Sequence, residues 1–330
     1  MSDAISIYTD FKVYEEEVAG FMHERLAENI NIFNEASRGS IVLVNDVHPG
    51  HYLKSSLFTR VSGLVTRQDI SSTSAVDSKK LSQDEEISVK RHIKVGPVQV
   101  TPKSYKVAGL PYNEDPAAIL AGQFADDLTK YMVDSAIISA KAAVLGQTSL
   151  LYDITDTAAP TANLKAIMRT KMKWGDQASK LACVVMHSVP YTDLWEDKLN
   201  YALESVAGFG IASGEVGNAL GAGLIVTDNS NLINTTPDPD QYYSLLLAPG
   251  AVVVRMSEAM EWASERHTGF EQILYEFQGE TAITLQVNGF KWDTGNGSLN
   301  PTDATLGTST NWDKITSQTK DVPITCLISQ

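Results

Sequence analysis

A few short stretches of this chain carry residue types that could do chemistry. His48-Pro-Gly-His51 spaces two imidazoles as some metal pairs do. A zinc site needs further donors, however, and neither a cysteine pair nor a helical His-Glu-x-x-His accompanies them. Pro49-Gly50 marks the stretch as a turn. His187-Ser188 puts a base beside a hydroxyl at the end of an apolar run, but no Gly-x-Ser-x-Gly elbow surrounds Ser188. A strand end, with Ser188 capping the next helix, accounts for both residues. Glu265-Arg266-His267 is a charge cluster suited to a solvated loop or a subunit contact. The glycines of 208–214 follow a helix pattern and those of 220–224 precede a strand pattern, the reverse of a dinucleotide loop; no phosphate-loop motif occurs anywhere. These stretches do not converge on a catalytic constellation, and neither a metal nor a cofactor is expected.

Composition narrows the function classes further. With 26 basic and 40 acidic residues the net charge is −14, so phosphate backbones are repelled and nucleic-acid binding by the chain as a whole is disfavoured. The hydrophobic fraction of 43% suffices for a sizeable core in 330 residues. The N-terminus shows no basic segment followed by an apolar run, so no signal peptide is expected. The 2 cysteines, Cys183 and Cys326, lie in strand-like apolar runs and read as buried small hydrophobes, although spacing alone leaves a disulfide between them open.

Which elements must position these residues? The strongest signal is an uninterrupted helix over 116–145. Asp115 can cap it, Pro116 occupies its first position and Gly146 can end it. At 1.5 Å per residue it is about 45 Å long, a rod with the apolar stripe Leu120, Phe124, Leu128, Tyr131, Ser135, Ile138, Ala142 and Leu145. Asp126, Asp127, Lys130, Asp134 and Lys141 on its other faces exclude a membrane span. Upstream, Phe11, Tyr14, Val18, Phe21, Met22, Leu26, Ile30 and Phe33 recur at helical spacing, and Ile41–Val44 reads as a strand. Between these helices, 46–100 has the character of a polar excursion. The stretches 52–61 and 64–70 predict an outgoing strand, and Ile87, Val89, Ile93 and Val95 alternate along a returning one, with Arg91 on the apolar side. The segment between them offers little to bury. A two-stranded ribbon is marginal alone in water, so this one is expected to lie on something outside its own domain.

Downstream, the pattern predicts a helix over 161–174, a strand at Leu181–Met186 and a helix at Val189–Val206. Further strands are expected at Leu224–Thr227, Tyr243–Leu247, Val252–Met256 and Val322–Ile328. A helical piece is expected at Ser257–Ala263, a long antiparallel pair over 270–292 turning at Asn288-Gly289, and a loop or arm over 294–312.

This order of elements resembles the major capsid proteins of tailed bacteriophages with the HK97 fold. The similarity rests on Pro116–Leu145, on Leu181–Leu194, and on Gly221–Asn229 followed by Ser244–Val254. It implies an α+β chain with an N-terminal arm (1–45), an extended two-stranded E-loop (46–100) and a peripheral domain (101–180 and 264–330) containing spine helix 116–145. A central axial domain (181–263) completes it. The implied function is a structural, non-enzymatic subunit that self-assembles as pentamers and hexamers into an icosahedral shell around phage dsDNA. Such a chain assembles in the host cytoplasm, resides in the virion and uses no membrane. Only about 45 residues precede the ribbon, which implies a separate scaffolding protein, beside a portal and a decoration protein. An encapsulin-type nanocompartment shell and, in another class, a cytosolic α/β hydrolase or transferase are the competing readings. The charges expected to meet a neighbouring subunit are Arg60, Arg67, Asp69, Lys79, Lys80, Asp84, Glu85 and Glu86.

Overall fold

The computed structural model describes residues 7–58, 61, 63–101, 116–196, 222–236, 238–269, 271, 273–316 and 318–330. Helix α1 (Ile7–Ala36) leads through a turn at 37–40, with Arg38 and Gly39 at positive φ, into β1 (Ile41–Asn45). Then follow β2 (Tyr52–Phe58), β3 (Gln83–Val100) and the long helix α2 (Pro116–Leu145). Its bounds coincide with those read from Pro116 and Gly146; Asp115 lies outside the described residues.

Two sheets flank α2. The first has the order β1-β9-β11-β3-β2, where β9 is Val252–Met256 and β11 is Leu274–Val287; strand β10 (Glu261–His267) continues along the β9 edge of β11. The second has the order β4-β14-β8-β5-β6: Leu151–Asp153, Ile324–Ser329, Gln241–Leu247, Cys183–Met186 and Gly223–Val226. The two-residue β7 (Ile233–Asn234) adds to β8. β12 (Phe290–Trp292) and β13 (Trp312–Lys314) form a small separate pair.

Helix α2 touches β9 and β11 of the first sheet and β8 and β14 of the second, so one rod serves as the spine of both. Phe124, Leu128, Ser135, Ile138 and Ala142 of the expected stripe are buried, while Tyr131 and Leu145 are half-buried. The stripe is wider than expected because Ala121, Ala125, Met132, Ala136, Ala140 and Ala143 are buried as well. Alanines at these positions let α1 and the strands approach closely. α1 contributes Met22 and Leu26 to that core, and Asn29 Nδ2 donates to Asp126 Oδ1 at 2.7 Å. A second apolar cluster lies on the far face of the second sheet, beneath α3 (Leu164–Lys171), and includes Ile167, Trp174, Leu194 and Leu246.

Several sequence expectations are corrected. The outgoing strand ends at Phe58, and 64–69 has no regular secondary structure and leads into a turn at 70–71. α3 begins at Leu164, not at 161, because the Asn163 side chain accepts from Ala166 N and caps it there. Glu261–His267, partly read as helix, is a strand because all 7 of its residues pair with β11. The expected pair within 270–292 is instead one long strand, β11, whose partners come from 252–267 and 89–100. The supposed arm at 294–312 holds a short helix, α4 (Asp303–Leu306), capped by Thr302. The helix after Ser188 is described to residue 196; the rest of it and the glycines of 208–214 lie outside the described residues.

The two sheets join segments that lie far apart in the chain. β4 and β14 belong with β5, β6 and β8, whereas β9 and β10 belong with β3. The reason is long-range pairing: Cys326 stands opposite Leu151 on one side and Leu245 on the other, a register no local pattern reveals.

Candidate assembly surface

The ribbon is built from β2 and the first half of β3, running from Tyr52 opposite Val89 to Phe58 opposite Gln83. Its root belongs to the molecule's own core. The β3 residues facing inward include charged ones, because that strand continues across β11 and passes beneath α2. Arg91 is buried there: Nη1 donates to Ser135 Oγ at 2.9 Å, Nη2 donates to Asp303 Oδ1 at 2.6 Å, and its guanidinium sits 5.1 Å from the Tyr131 ring centroid. On the other face, buried Lys90 meets Glu258 Oε1 at 2.7 Å. That bond, with Lys90, His92 and His51 nearby, holds the Glu258 carboxyl below its ordinary range.

Three histidines gather at the same root. His48 Nδ1 lies 3.2 Å from the Asp46 carbonyl, which can only accept, so Nδ1 donates and Nε2 accepts from Thr284 Oγ1 at 3.1 Å. His51 and His92 meet edge to face with ring centroids 6.0 Å apart. Among the described residues no group of three His, Cys, Asp or Glu side chains is placed to hold a metal ion. The His-x-x-His pair spans a bend at the foot of the ribbon, with His48 held by hydrogen bonds and His51 by its contact with His92.

Of the eight charges expected at a subunit contact, three are engaged within the chain. Asp84 lies 3.7 Å from Lys291, and Glu85 lies 3.2 Å from Lys54. Glu86 is the most enclosed of the three. It is buried between β2 and the 286–289 turn and accepts from Ser55 Oγ at 3.3 Å, and burial pushes its carboxyl up from the ordinary range. Arg67, Asp69, Lys79 and Lys80 are exposed in the 59–82 excursion, and Arg60 lies outside the described residues.

The excursion differs from its sequence reading in a second way. It carries Leu64, Val65, Ile70, Val76 and Leu81, each at least 63% exposed, and Phe58 at its base is exposed too. Apart from the adjacent Leu64 and Val65 they are scattered singly among polar residues, which is why the segment between the strands reads as having little to bury. Because they stand together on one excursion, they form an unusual concentration of exposed apolar side chains.

The remaining stretches resolve without chemistry. His187 Nδ1 accepts from Val189 N at 3.3 Å and lies 3.4 Å from Ser188 Oγ, while Nε2 is 3.7 Å from Asp228 Oδ1. The nitrogen that would serve as base is thus already occupied by a backbone N–H at the start of the helix. His267 Nε2 contacts Glu276 at 2.8 Å across the β10–β11 pair, in a strand instead of the expected loop. Cys183 and Cys326 are buried free thiols on opposite sides of β8, and burial pushes each up to about 12. The intervening strand keeps them from bridging.

Comparison with known proteins agrees with this architecture. Solved capsids of Helicobacter pylori bacteriophage KHP30, Ralstonia phage GP4 and Myoviridae phage XM1 superpose with TM-scores of 0.53, 0.53 and 0.53 at identities of 11%, 12% and 12%. The matches cover 88%, 89% and 89% of this chain and 88%, 87% and 90% of those chains. The fold is therefore the HK97-type capsid fold. A search of curated proteins returns no match. The model of one family, Gp13-like (major capsid protein 13-like), matches residues 10–323. With that match spanning nearly the whole sequence, the chain belongs to the Gp13-like family of major capsid proteins, self-assembling structural subunits of the bacteriophage shell.

Proposed function

We propose that the 59–82 tip reaches over a neighbouring copy of this chain. This overlap, repeated around pentamers and hexamers, closes an icosahedral shell around a double-stranded DNA genome. The observation that carries the reading is the set of exposed apolar side chains on the tip. Fully burying a Val, Leu or Ile side chain contributes about 1.5–3 kcal/mol, whereas an exposed ion pair contributes about 0–1 kcal/mol. Val65, Ile70 and Val76 are therefore the anchors, while Arg67, Asp69, Lys79 and Lys80 set register and orientation against the neighbour. Asp84 and Glu85 hold the ribbon to its own chain.

In this reading the second sheet forms the axial domain and the first sheet with α2 the peripheral one. A separate scaffolding protein, a portal and a decoration protein are further partners, proposed on the family resemblance. Assembly takes place in the host cytoplasm and the finished shell resides in the virion. The net charge of −14 suits enclosure of DNA without adhesion to it. The role needs neither a catalytic step nor a cofactor.

The test replaces 59–82 with Asn-Gly, a two-residue turn that joins Phe58 to Gln83 as a hairpin. The expected product is a folded, dispersed subunit that forms no closed particles in negative-stain images under conditions where the parent chain does. Normal particles from the shortened chain would overturn the reading.

A further inference from the structure

Charge is distributed unevenly around the second sheet. β4, β5 and β6 finish at the same end as β14, where β8 begins, as the registers Asp153–Ile328, Ile328–Tyr243 and Met186–Val226 show. The segments at that end, 153–163, 187–196 and 227–240, contain no Lys or Arg. They carry Asp153, Asp156, Asp193, Asp228, Asp238 and Asp240. Lys141, on α2, comes near but is turned inward, its Nζ donating to the Asn231 carbonyl at 2.6 Å.

On the face of the sheet that α3 covers, the balance reverses. Helix α3 and the turns after it, 164–180, carry Lys165, Arg169, Lys171, Lys173 and Lys180 with Asp176 as the one acid. Asp176 is paired with Lys320 at 3.2 Å. Arg169 and Lys171 occupy the last turn of α3, where the helix dipole favours cations. Arg169 Nη1 donates to Tyr152 Oη at 3.0 Å, and the Lys173 ammonium stands 5.9 Å from that ring, so the patch is anchored to the edge strand β4. In a chain of net charge −14, so basic a stretch is an exception.

Both regions also expose apolar side chains. Met168 and Met172 stand outward beside the cations, and Trp195 and Val226 stand outward on the side bearing Asp228. Methionine adapts its shape to what it meets, and tryptophan is a frequent anchor of interfaces.

We propose that these two surfaces are the halves of one contact between copies: the Met-rich basic face of α3 on one subunit docks against the acidic, Trp195-bearing end of the sheet on the next. The occupant follows from charge complementarity, since each subunit carries both signs on different parts of the same domain. A contact that joins two different patches is heterologous, and such contacts build closed rings when the rotation closes. Complementary charge steers the encounter and rejects the reversed orientation, while the methionines and Trp195 supply the buried area. The inference rests on the shell reading above and adds the contact that joins axial domains around a ring.

The experiment uses the full chain in two variants. One is Arg169→Glu/Lys171→Glu/Lys173→Glu, which makes both surfaces acidic. The other is Asp228→Lys/Asp238→Lys/Asp240→Lys, which places cations on exposed loops. Circular dichroism establishes that each is folded, and sedimentation and light scattering follow association. Each variant alone is expected to need at least roughly tenfold more protein than the parent to associate. An equimolar mixture should recover association at low salt, because the reversed faces complement each other, and lose it as salt rises. Folded variants that assemble alone like the parent would overturn the proposal, and so would a mixture that fails to recover. If the parent binds a dsDNA fragment through α3 while the α3 variant assembles normally, the basic face belongs to nucleic acid and the proposal falls. A parent chain that forms no particles at all would instead count against the shell reading itself.

Discussion

At the root of the ribbon, Lys90 and Arg91 are charged residues held inside the molecule; at its tip, Val65, Ile70 and Val76 are apolar residues 95%, 92% and 88% exposed. The usual assignment of polar and apolar side chains is inverted twice along one excursion. Taking an ammonium or guanidinium out of water costs several kcal/mol, so the root persists only because Glu258, Ser135, Asp303 and Tyr131 compensate both cations. Leaving three aliphatic side chains in water forfeits burial energy that nothing in the same chain recovers. The root is thus specified within the subunit, whereas the tip draws its partners, in the proposed overlap, from a neighbouring copy.

The largest expected effect comes from Arg91→Met. The substitution keeps much of the aliphatic volume but removes the bonds to Ser135 and Asp303, and leaves the buried Ser135 hydroxyl without that donor. A loss of about 2–4 kcal/mol in urea unfolding is expected, reduced from the upper range because Asp303 stays largely in water. A loss under about 0.5 kcal/mol would show that the root is no more constrained than an ordinary surface.

A smaller effect, distinguished by its pH dependence, is expected at Glu86. Burial raises its carboxyl above the unfolded value, against weaker opposing contributions from the Gly289 backbone, Ser55, Gln286 and Arg255. The native state therefore holds a proton that the unfolded chain releases earlier. Stability falls as pH rises from the unfolded value through the folded one, and the penalty is complete above the folded value. Glu86→Gln has no charge to desolvate. Its stability relative to the parent should be most favourable at neutral pH, and that advantage should fade as pH drops below the unfolded value. Parallel stability curves between pH 4 and 7 would show that Glu86 is solvated like the tip charges.

How far the sequence carried each region follows from the range of the forces involved. α2 was legible to the residue at both ends, because Pro116 and Gly146 are local signals acting within one turn. Arg91 was legible as an inward cation from the alternation of Ile87, Val89, Ile93 and Val95, but its partners were not, since Asp303 lies far along the chain. The first residues of β10 read as the end of a helix over Ser257–Ala263 because Glu258, Ala259, Met260, Glu261 and Ala263 are good helix formers, and pairing with β11 overrides that preference. The long-range pairing of β4 with β14 was illegible for the same reason. Glu86 looked like a tip charge because it continues the acidic run from Asp84. Only the 286–289 turn, placed over it by β11, encloses it.

The smallest expected effect on the subunit is at the tip, and it tests the comparison most sharply. Val65→Ser/Ile70→Ser/Val76→Ser changes three apolar side chains that the subunit itself leaves in water. Solvent-exposed positions away from caps and buried partners usually shift stability by less than about 0.5 kcal/mol each, so unfolding of the dispersed subunit should be nearly unchanged. Assembly should respond strongly, because the proposed overlap buries many copies of these residues in each shell and each burial forgone is worth about 1.5–3 kcal/mol. Unfolding in urea and particle yield by sedimentation therefore separate the two regions: Arg91→Met lowers the first, and the tip substitution lowers only the second. If the triple substitution destabilised the dispersed subunit by as much as Arg91→Met, the tip would have to be folded back onto its own chain in solution. The inversion between root and tip would then belong to the assembled state alone.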